Sequence, residues 1–184
     1  MPARPPQPDQ RPILCAVTLD TERAASLRHA WQRAASSGRP LAVAHVVHER
    51  PGDAGTYQRL NPGKRMLPHG EIAAMLLERL IDDCRASLPA AAARLEPRQV
   101  LVRGVPGGRI PELARLLRAV SIVIGASRHD RWQRFWQGSV TAQVLRAAPC
   151  PVIIVDAGGE PVSPSPPRPG TGWHAPAGSQ LHAP

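Results

Sequence analysis

The sequence is poor in aromatic residues and in lysine, and it has no long apolar run. Aromatic side chains make up 3% of the 184 residues, so a core must be built mainly from aliphatic side chains. Lys64 is the single lysine, and arginine therefore dominates the net charge of +9. No apolar run approaches the roughly 20 residues of a membrane-spanning helix, and the polar, proline-rich start lacks the apolar stretch of a signal peptide. These absences predict a cytoplasmic protein outside the membrane.

Cysteine is also scarce. The three cysteines, Cys15, Cys84 and Cys150, are far apart and form no CxxC pair. They offer neither a disulfide framework nor the ligand spacing of a zinc site. Cys15 and Cys150 lie in or beside apolar runs, where a thiol behaves as a small hydrophobic group. This usage fits a reducing compartment.

The positive charge has two interpretations. A basic surface attracts anions such as nucleotides, nucleic acid or acidic lipid headgroups. Exposed arginines are also the ordinary solvated surface of a protein. The sequence contains no motif that reads nucleic acid, so we do not predict nucleic-acid binding.

Short apolar runs alternate with segments of helical spacing. The runs that predict strands are residues 13–17, 41–47, 99–102, 121–124 and 152–155. The helical segments run from Ala24 to Gly38, from Glu71 to a break at Pro89, over 110–119 with Pro111 in the first turn, and over 139–148. This alternation predicts an α/β fold with an open, doubly wound, parallel five-stranded sheet of Rossmann-like type.

In such a sheet, ligands bind beyond the carboxyl ends of the strands, at the topological switch point. Thr18, Val47 and Gly125 lie at these predicted strand ends. We therefore expect the functional site at this edge.

Composition divides the chain into one domain and two tails. Residues 1–11 and 157–184 are rich in proline and small or polar residues, which predicts disordered tails. Residues 12–156 form the predicted domain. Residues 49–68 contain several prolines and glycines, and we interpret them as an inserted loop.

The segment between the fourth strand and the last helix carries the most specific pattern. Gly125 lets the backbone leave the strand sharply or approach a ligand closely. Gly138 and Ser139 open the next helix, where free N–H groups and the helix dipole favour an anion. Ser139 either binds a phosphate oxygen or is an ordinary helix cap, and these residues alone leave both readings open.

This segment resembles the nucleotide loop of the universal stress protein family, Gly-x2-Gly-x9-Gly-Ser/Thr. Four flanking segments are similar to the family as well: the first strand at 13–17, Val-Ala-His-Val at 43–46, Arg-Gly-Val-Pro at 103–106 and the closing strand at 148–155. Together these motifs are specific, although none is so alone.

The resemblance implies an adenine-nucleotide alpha-hydrolase-like fold and a homodimer. It also implies a stress-response regulatory protein that binds an ATP- or AMP-type nucleotide, with Mg²⁺ accompanying ATP, and performs little or no catalysis. The positions that match the family's site are Ala16, Thr18, Leu41, Ala42, Gly125, Gly138, Ser139 and Val140. Of these, Leu41 and Ala42 would contact the base.

Two positions depart from the family pattern. Thr18 stands where the family has an acidic residue for the ribose hydroxyls, although Asp20 is nearby. Arg128 replaces the second glycine of the loop, where it either blocks the site or pairs with phosphate through its guanidinium. These departures support an alternative, a nucleotide-independent module that acts on a signalling partner. A slow ATP hydrolase is a further alternative, for which no general base is in place.

The loop residues 127–132 resemble the stress-protein-like module of potassium-responsive sensor histidine kinases. A basic, aromatic surface for a protein or an anion would then be formed by Arg128, Arg131 and Arg134 with Trp132 and Trp136. The tryptophans could equally cover the edge of the sheet.

Two further expectations concern the strands. His45 lies within the second strand and is predicted to be a hydrogen-bonded core residue rather than a metal ligand. The apolar strand Val152–Val155 is placed at the sheet edge, and exposed edges seek a partner strand. We therefore predict a homodimer that pairs through this strand.

Overall fold

The computed structural model describes residues 10–19, 24–47, 69–126 and 140–162 of the chain. The strands are β1 (Ile13–Ala16), β2 (Leu41–Val47), β3 (Arg98–Arg103), β4 (Ser121–Gly125), β5 (Val152–Val155) and β6 (Pro161–Val162). The helices are α1 (Ala24–Ser37), α2 (His69–Ala86), α3 (Ala90–Ala93), α4 (Pro106–Leu116) and α5 (Val140–Ala147). No helix in these ranges is both long and apolar enough to cross a lipid bilayer.

The strands form one sheet in the order β3-β2-β1-β4-β5-β6. β1 to β5 pair in parallel, and β6 pairs antiparallel with β5. The predicted α/β architecture with a parallel sheet is confirmed. The sheet has six strands rather than five, because a two-residue strand that begins with Pro161 shows no alternating pattern in the sequence.

Helices cover both faces of the sheet. Cys15 and Val43 point into the cluster beneath α1 and α2, whereas Leu14 and Ala42 point into the cluster beneath α4 and α5. Neighbouring residues of each central strand thus face opposite layers, which explains why these strands are continuous apolar runs. The core is aliphatic as predicted, apart from the fully buried Trp31. Its indole N–H donates a hydrogen bond to the Ala92 carbonyl at 3.0 Å.

α4 begins earlier than the sequence suggests. We predicted residues 110–119 with Pro111 in the first turn, but the helix starts at Pro106 and Pro111 lies inside it. Proline is well suited to the first helical position because its missing N–H has no partner there. Of the predicted turn at 104–108, Gly104 alone has a positive φ, of 135°. Its N–H donates to the Val47 carbonyl at 3.1 Å, which joins the ends of β3 and β2.

The segment after β5 forms a turn and the strand β6 at Pro161–Val162. The Asp156 carboxylate accepts hydrogen bonds from the N–H groups of Gly158, at 2.9 Å, and Glu160, at 3.0 Å. This turn brings Pro161 and Val162 back against β5. The predicted disordered tail therefore does not begin at residue 157.

The same hairpin corrects the predicted sheet edge. Ile154 pairs with Val162 and Val155 with Pro161, so β6 covers the second half of β5. The strand Val152–Val155 is therefore not the open edge that we expected to pair with a second copy.

Candidate functional site

The switch point of the sheet lies between β1 and β4. The chain leaving β1 forms α1, which packs on one face, and the chain leaving β4 leads to α5, which packs on the other. Because β1 and β4 are parallel neighbours, this divergence opens a crevice beyond their carboxyl ends. The sequence predicted the site at this edge.

Helix starts surround the same edge. Because β1 to β5 are parallel, the helices that connect them run back along the sheet, so α1, α2, α4 and α5 direct their amino ends towards this edge. α2 has Glu71 in its first turn, whereas α1, α4 and α5 have no acidic residue there. Their partial positive charges are therefore not offset by carboxylates of their own first turns, and an anionic ligand is favoured there.

The residues after β1 are fixed by neighbouring β2. The Val17 N–H donates to the Ala44 carbonyl at 2.9 Å, and the Val17 carbonyl accepts a hydrogen bond from His45 Nδ1 at 3.0 Å. Thr18 follows directly and is exposed. Thr18 thus lies at the carboxyl edge of the sheet, directly after a residue whose N–H and carbonyl are both bonded to β2.

His45 is the buried, hydrogen-bonded core residue that the sequence predicted. Its side chain is 8% exposed. A carbonyl oxygen can only accept, so Nδ1 must carry the hydrogen in this contact. Burial lowers the pKa of His45, and the hydrogen bond to Val17 partly opposes that shift. The neutral ring with its proton on Nδ1 therefore predominates at neutral pH and holds the chain that leads to Thr18.

Gly125, the last residue of β4, lies beside β1 across the switch point. Its φ is not in the positive range that favours glycine. An added Cβ would lie 3.4 Å from Ser26 Oγ and 3.7 Å from Ser26 Cβ, which is ordinary contact. The chain stays in the sheet beyond it, because the Ala126 N–H donates to the Val155 carbonyl at 2.7 Å. Of the two roles that the sequence left open for Gly125, a sharp exit from the strand is not seen at Ala126, and among the described residues neither backbone conformation nor packing requires glycine here.

The structure does not bring Leu41 and Ala42 to the crevice. They begin β2 and pair with Ile13 and Leu14, at the amino ends of the strands, and both are 1% exposed. A ligand at the carboxyl edge does not reach them. The prediction that they contact a base at this edge is therefore corrected, because the direction of the strand places its carboxyl end at Val47.

The other matching positions divide into two groups. Ala16 is the half-buried last residue of β1, and Val140, at 42% exposure, is the first residue of α5. Both are compatible with a site at this edge. Arg128, Gly138 and Ser139 lie outside the described residues, as does the arginine- and tryptophan-rich loop.

Ser26 is a residue near the site that the sequence reasoning missed. It lies in the first turn of α1, is 4% exposed, and contacts the position of Gly125. Its hydroxyl also hydrogen-bonds to Cys15, whose pKa is raised chiefly by burial. The signal available in the sequence was a serine in the predicted first turn of an alanine-rich helix.

A cavity of about 270 Å³ lies elsewhere in the structure, beside the strand β3. Its lining residues are Val102, Arg103, Arg109, Glu112, Leu113 and Leu116. β3 is separated from the switch point by β2. We therefore do not assign this cavity to the candidate site.

A doubly wound parallel sheet with its switch point between β1 and β4 belongs to the class of folds whose ligands bind beyond the carboxyl ends of the strands. The sequence profile of the universal stress protein family matches residues 10–156. The chain belongs to this family.

Two curated relatives are similar to part of the chain. Universal stress proteins MT2698 and Rv2623 of Mycobacterium tuberculosis are each 36% identical over 77 residues, which cover 41% of this chain and 26% of the relative. The match thus spans about a quarter of the length of these relatives.

Solved structures show the same fold. A universal stress protein from Archaeoglobus fulgidus is 26% identical, with a TM-score of 0.57 over 79% of this chain and 98% of that one. The protein from Archaeoglobus fulgidus in complex with dAMP is also 26% identical, with a TM-score of 0.52 over 80% and 98%. A universal stress protein in complex with cAMP, 22% identical, has a TM-score of 0.56 over 80% and 98%, and it supports the fold alone.

Proposed function

We propose that this chain is a stress-response regulatory protein that binds an adenine nucleotide of ATP or AMP type in the crevice between β1 and β4. It performs little or no catalysis. The observation that carries the proposal is Gly125, a glycine at the switch point that neither its φ nor its contacts with the described residues require. A physical reason for a glycine there is the close approach of a ligand to the backbone.

The electrostatics of the edge support a phosphate-bearing ligand. The amino ends of α1, α4 and α5 point there without acidic residues in their first turns. The motif assigns phosphate contacts to Gly138, Ser139 and Val140, which precede and open α5. A structural neighbour at 26% identity was solved with dAMP, which supports an adenine nucleotide as the ligand class.

The two departures from the family pattern determine which nucleotide we expect to bind more tightly. Thr18 offers one hydroxyl where a carboxylate would accept hydrogen bonds from both ribose hydroxyls, so we expect the ribose to be held more weakly. Arg128 adds a cation to the loop, which favours a ligand with more phosphate charge. We therefore propose ATP with Mg²⁺ as the tighter ligand and AMP as the weaker one.

The cysteines support a reducing compartment. All three are free, and Cys15 and Cys84 are buried. Free thiols that pack as apolar groups are typical of proteins in the cytoplasm. We propose this location for the protein.

Isothermal titration calorimetry with ATP and AMP, with and without Mg²⁺, tests the function directly. We expect saturable binding, tighter for ATP with Mg²⁺, and no steady phosphate release beyond that of a buffer control. A chain that binds neither nucleotide rejects the proposal. Phosphate release that persists in proportion to enzyme concentration, and that disappears in Gly125→Val, would show an ATP hydrolase instead.

A pull-down with the same purified chain distinguishes the proposed function from the alternative, a nucleotide-independent module that acts on a protein partner. Immobilised wild-type chain and Arg131→Glu/Arg134→Glu should capture the same proteins from a lysate if the basic loop has no partner role. Partners lost in the double variant, from a chain that binds no nucleotide, would support the module instead.

A further inference from the structure

Helices α4 and α5 lie side by side and are in contact near both ends. Gly107, at the start of α4, lies against Gln143 in the first half of α5. At the other end, Arg115 Nη2 donates a hydrogen bond to the Ala147 carbonyl at 2.6 Å. The two helices therefore run in the same direction, and both begin at the edge of the sheet that holds the candidate site.

Gly107 leaves no room for a side chain. A Cβ at this position would lie 2.7 Å from both Cβ and Cδ of Gln143, and it would also meet Oε1. Carbon atoms in contact normally lie about 3.5–4.0 Å apart. Rotation of the Gln143 side chain moves Cδ and Oε1 away, but Cβ is attached directly to the backbone of α5. A side chain at 107 therefore forces one helix to move by roughly 1 Å.

Packing is the reason for a glycine at this position. Gly107 is buried and helical, and glycine is a poor helix former. Its φ is not in the positive range. Gly108, the next residue, is exposed, and a Cβ there would meet no atom of the described residues within 4 Å. The requirement for close approach thus belongs to Gly107 and not to its neighbour.

We propose that Gly107 is a positioning residue for the nucleotide site: by letting α4 approach Gln143, it sets where α5 begins. This inference rests on the proposed function, because α5 starts at Val140, directly after the residues that the motif assigns to phosphate. Gln143 is three residues into the helix, or about 4.5 Å along its axis. A displacement at Gln143 therefore carries over to the helix start.

The size of the displacement is large for a binding site. Groups that bind a ligand must be held within about 0.5 Å of their working geometry. The shift that a Cβ at 107 requires exceeds this tolerance. The contact between Arg115 and Ala147 holds the far end of α5, so we expect the helix to pivot and its amino end to move most.

Calorimetric titration of the full chain with ATP and Mg²⁺ tests the proposal. Gly107→Ala should weaken binding about ten-fold or more, whereas Gly108→Ala, the matched control, should remain within about two-fold of wild type. Gly107→Ala/Gln143→Gly should return to the affinity of Gln143→Gly alone. Gly107→Ala/Gln143→Ala should stay weak, because the contact between the two Cβ atoms remains.

A merely structural role gives a different result. In that case Gly107→Ala lowers the unfolding temperature but leaves the dissociation constant, measured well below that temperature, equal to that of Gly108→Ala. Equal dissociation constants overturn the inference. If Gly107→Ala does not fold, Gly107→Ala/Gln143→Ala serves as the milder variant, since it lacks the Cδ and Oε1 contacts, and the same comparison decides.

Amide hydrogen exchange without nucleotide separates this inference from the proposed function. The amides of Val140–Ala147 should exchange faster in Gly107→Ala than in Gly108→Ala. If the wild-type chain binds no nucleotide but the two variants still differ in exchange, the proposed function is rejected and the role of Gly107 in placing α5 is retained. Equal exchange in the two variants rejects that role.

Discussion

His45 and Val17 are joined by a hydrogen bond between neighbouring strands: Nδ1 of the buried imidazole donates to the Val17 carbonyl at 3.0 Å. Val17 is also bonded through its N–H to Ala44, beside His45 in β2. The chain that leads from β1 to Thr18 is thus anchored twice to β2. A residue of the core thereby fixes the position of a residue of the candidate site.

The titration of His45 predicts a loss of stability in acid. Its folded-state pKa is below the ordinary value of 6.5, chiefly because of burial. The unfolded chain therefore takes up the proton more readily, so this contribution to stability is complete above the unfolded pKa. It declines as the pH falls below that value towards the folded pKa. Thermal unfolding between pH 7.5 and 5 should show a larger decrease for wild type than for His45→Asn, whose amide can still donate. Equal decreases would contradict this assignment.

Gly125→Ala should separate binding from stability. Its Cβ makes only ordinary contact with Ser26, and the φ angle suits any residue, so we expect the free energy of unfolding to change by less than about 0.5 kcal/mol. The affinity for ATP should fall about ten-fold or more, because a methyl group stands where the ligand approaches the backbone. Calorimetry and denaturant unfolding measure the two quantities. A variant that loses stability but keeps its affinity would falsify the ligand role of Gly125.

Gly104→Ala should show the opposite behaviour. Gly104 has φ of 135°, and a Cβ there would lie 2.8 Å from Arg109 Nε. We expect a loss of about 1–3 kcal/mol of stability from the backbone conformation. β3 is separated from the switch point by β2, so the change in nucleotide affinity of the folded fraction should be smaller than that for Gly125→Ala. Urea unfolding measures the stability, and nucleotide titration at low temperature measures the affinity. An unchanged urea midpoint would contradict the predicted loss of stability.

The three thiols should react in a set order. Burial raises the pKa of each cysteine, to about 11 for Cys84, and Cys15 is fully buried. Only Cys150 is partly exposed. A thiol reacts as its thiolate, so a maleimide at pH 8 should label Cys150 first and Cys15 last. Mass spectrometry of peptides after timed labelling measures the order, with fully unfolded protein as the control in which all three react at similar rates. Early labelling of Cys15 in folded protein would contradict the described core.

β6 should limit pairing through β5. Asp156 accepts both side-chain hydrogen bonds that shape the turn, so Asp156→Ala should loosen the hairpin and expose the strand Val152–Val155. We expect a concentration-dependent increase in mass by light scattering, while wild type and the exposed-surface control Asp82→Ala show none. Equal masses for all three proteins would argue against this covering role of β6.

The strands were predicted well because they are buried on both faces. The bounds of β2 and β5 match the predicted residues, since their apolar runs are continuous and end at polar or proline positions. The start of α4 was missed because Gly107 and Gly108 follow a proline and a glycine, a composition typical of a turn. β6 was missed because two residues carry no periodicity. In the site, Thr18 and Gly125 lie at the predicted edge, whereas Leu41 and Ala42 lie at the opposite one.

The amino-acid sequence by itself determined the fold class, the family and the edge of the sheet at which we place the candidate site, because these depend on the order of apolar segments and on motif spacing along the chain. Only the tertiary structure decided which glycines matter and why. Gly107 is needed because another helix packs against it, whereas the described neighbours of Gly125 leave room for a side chain. That distinction depends on distances between segments far apart in sequence, which no local pattern encodes.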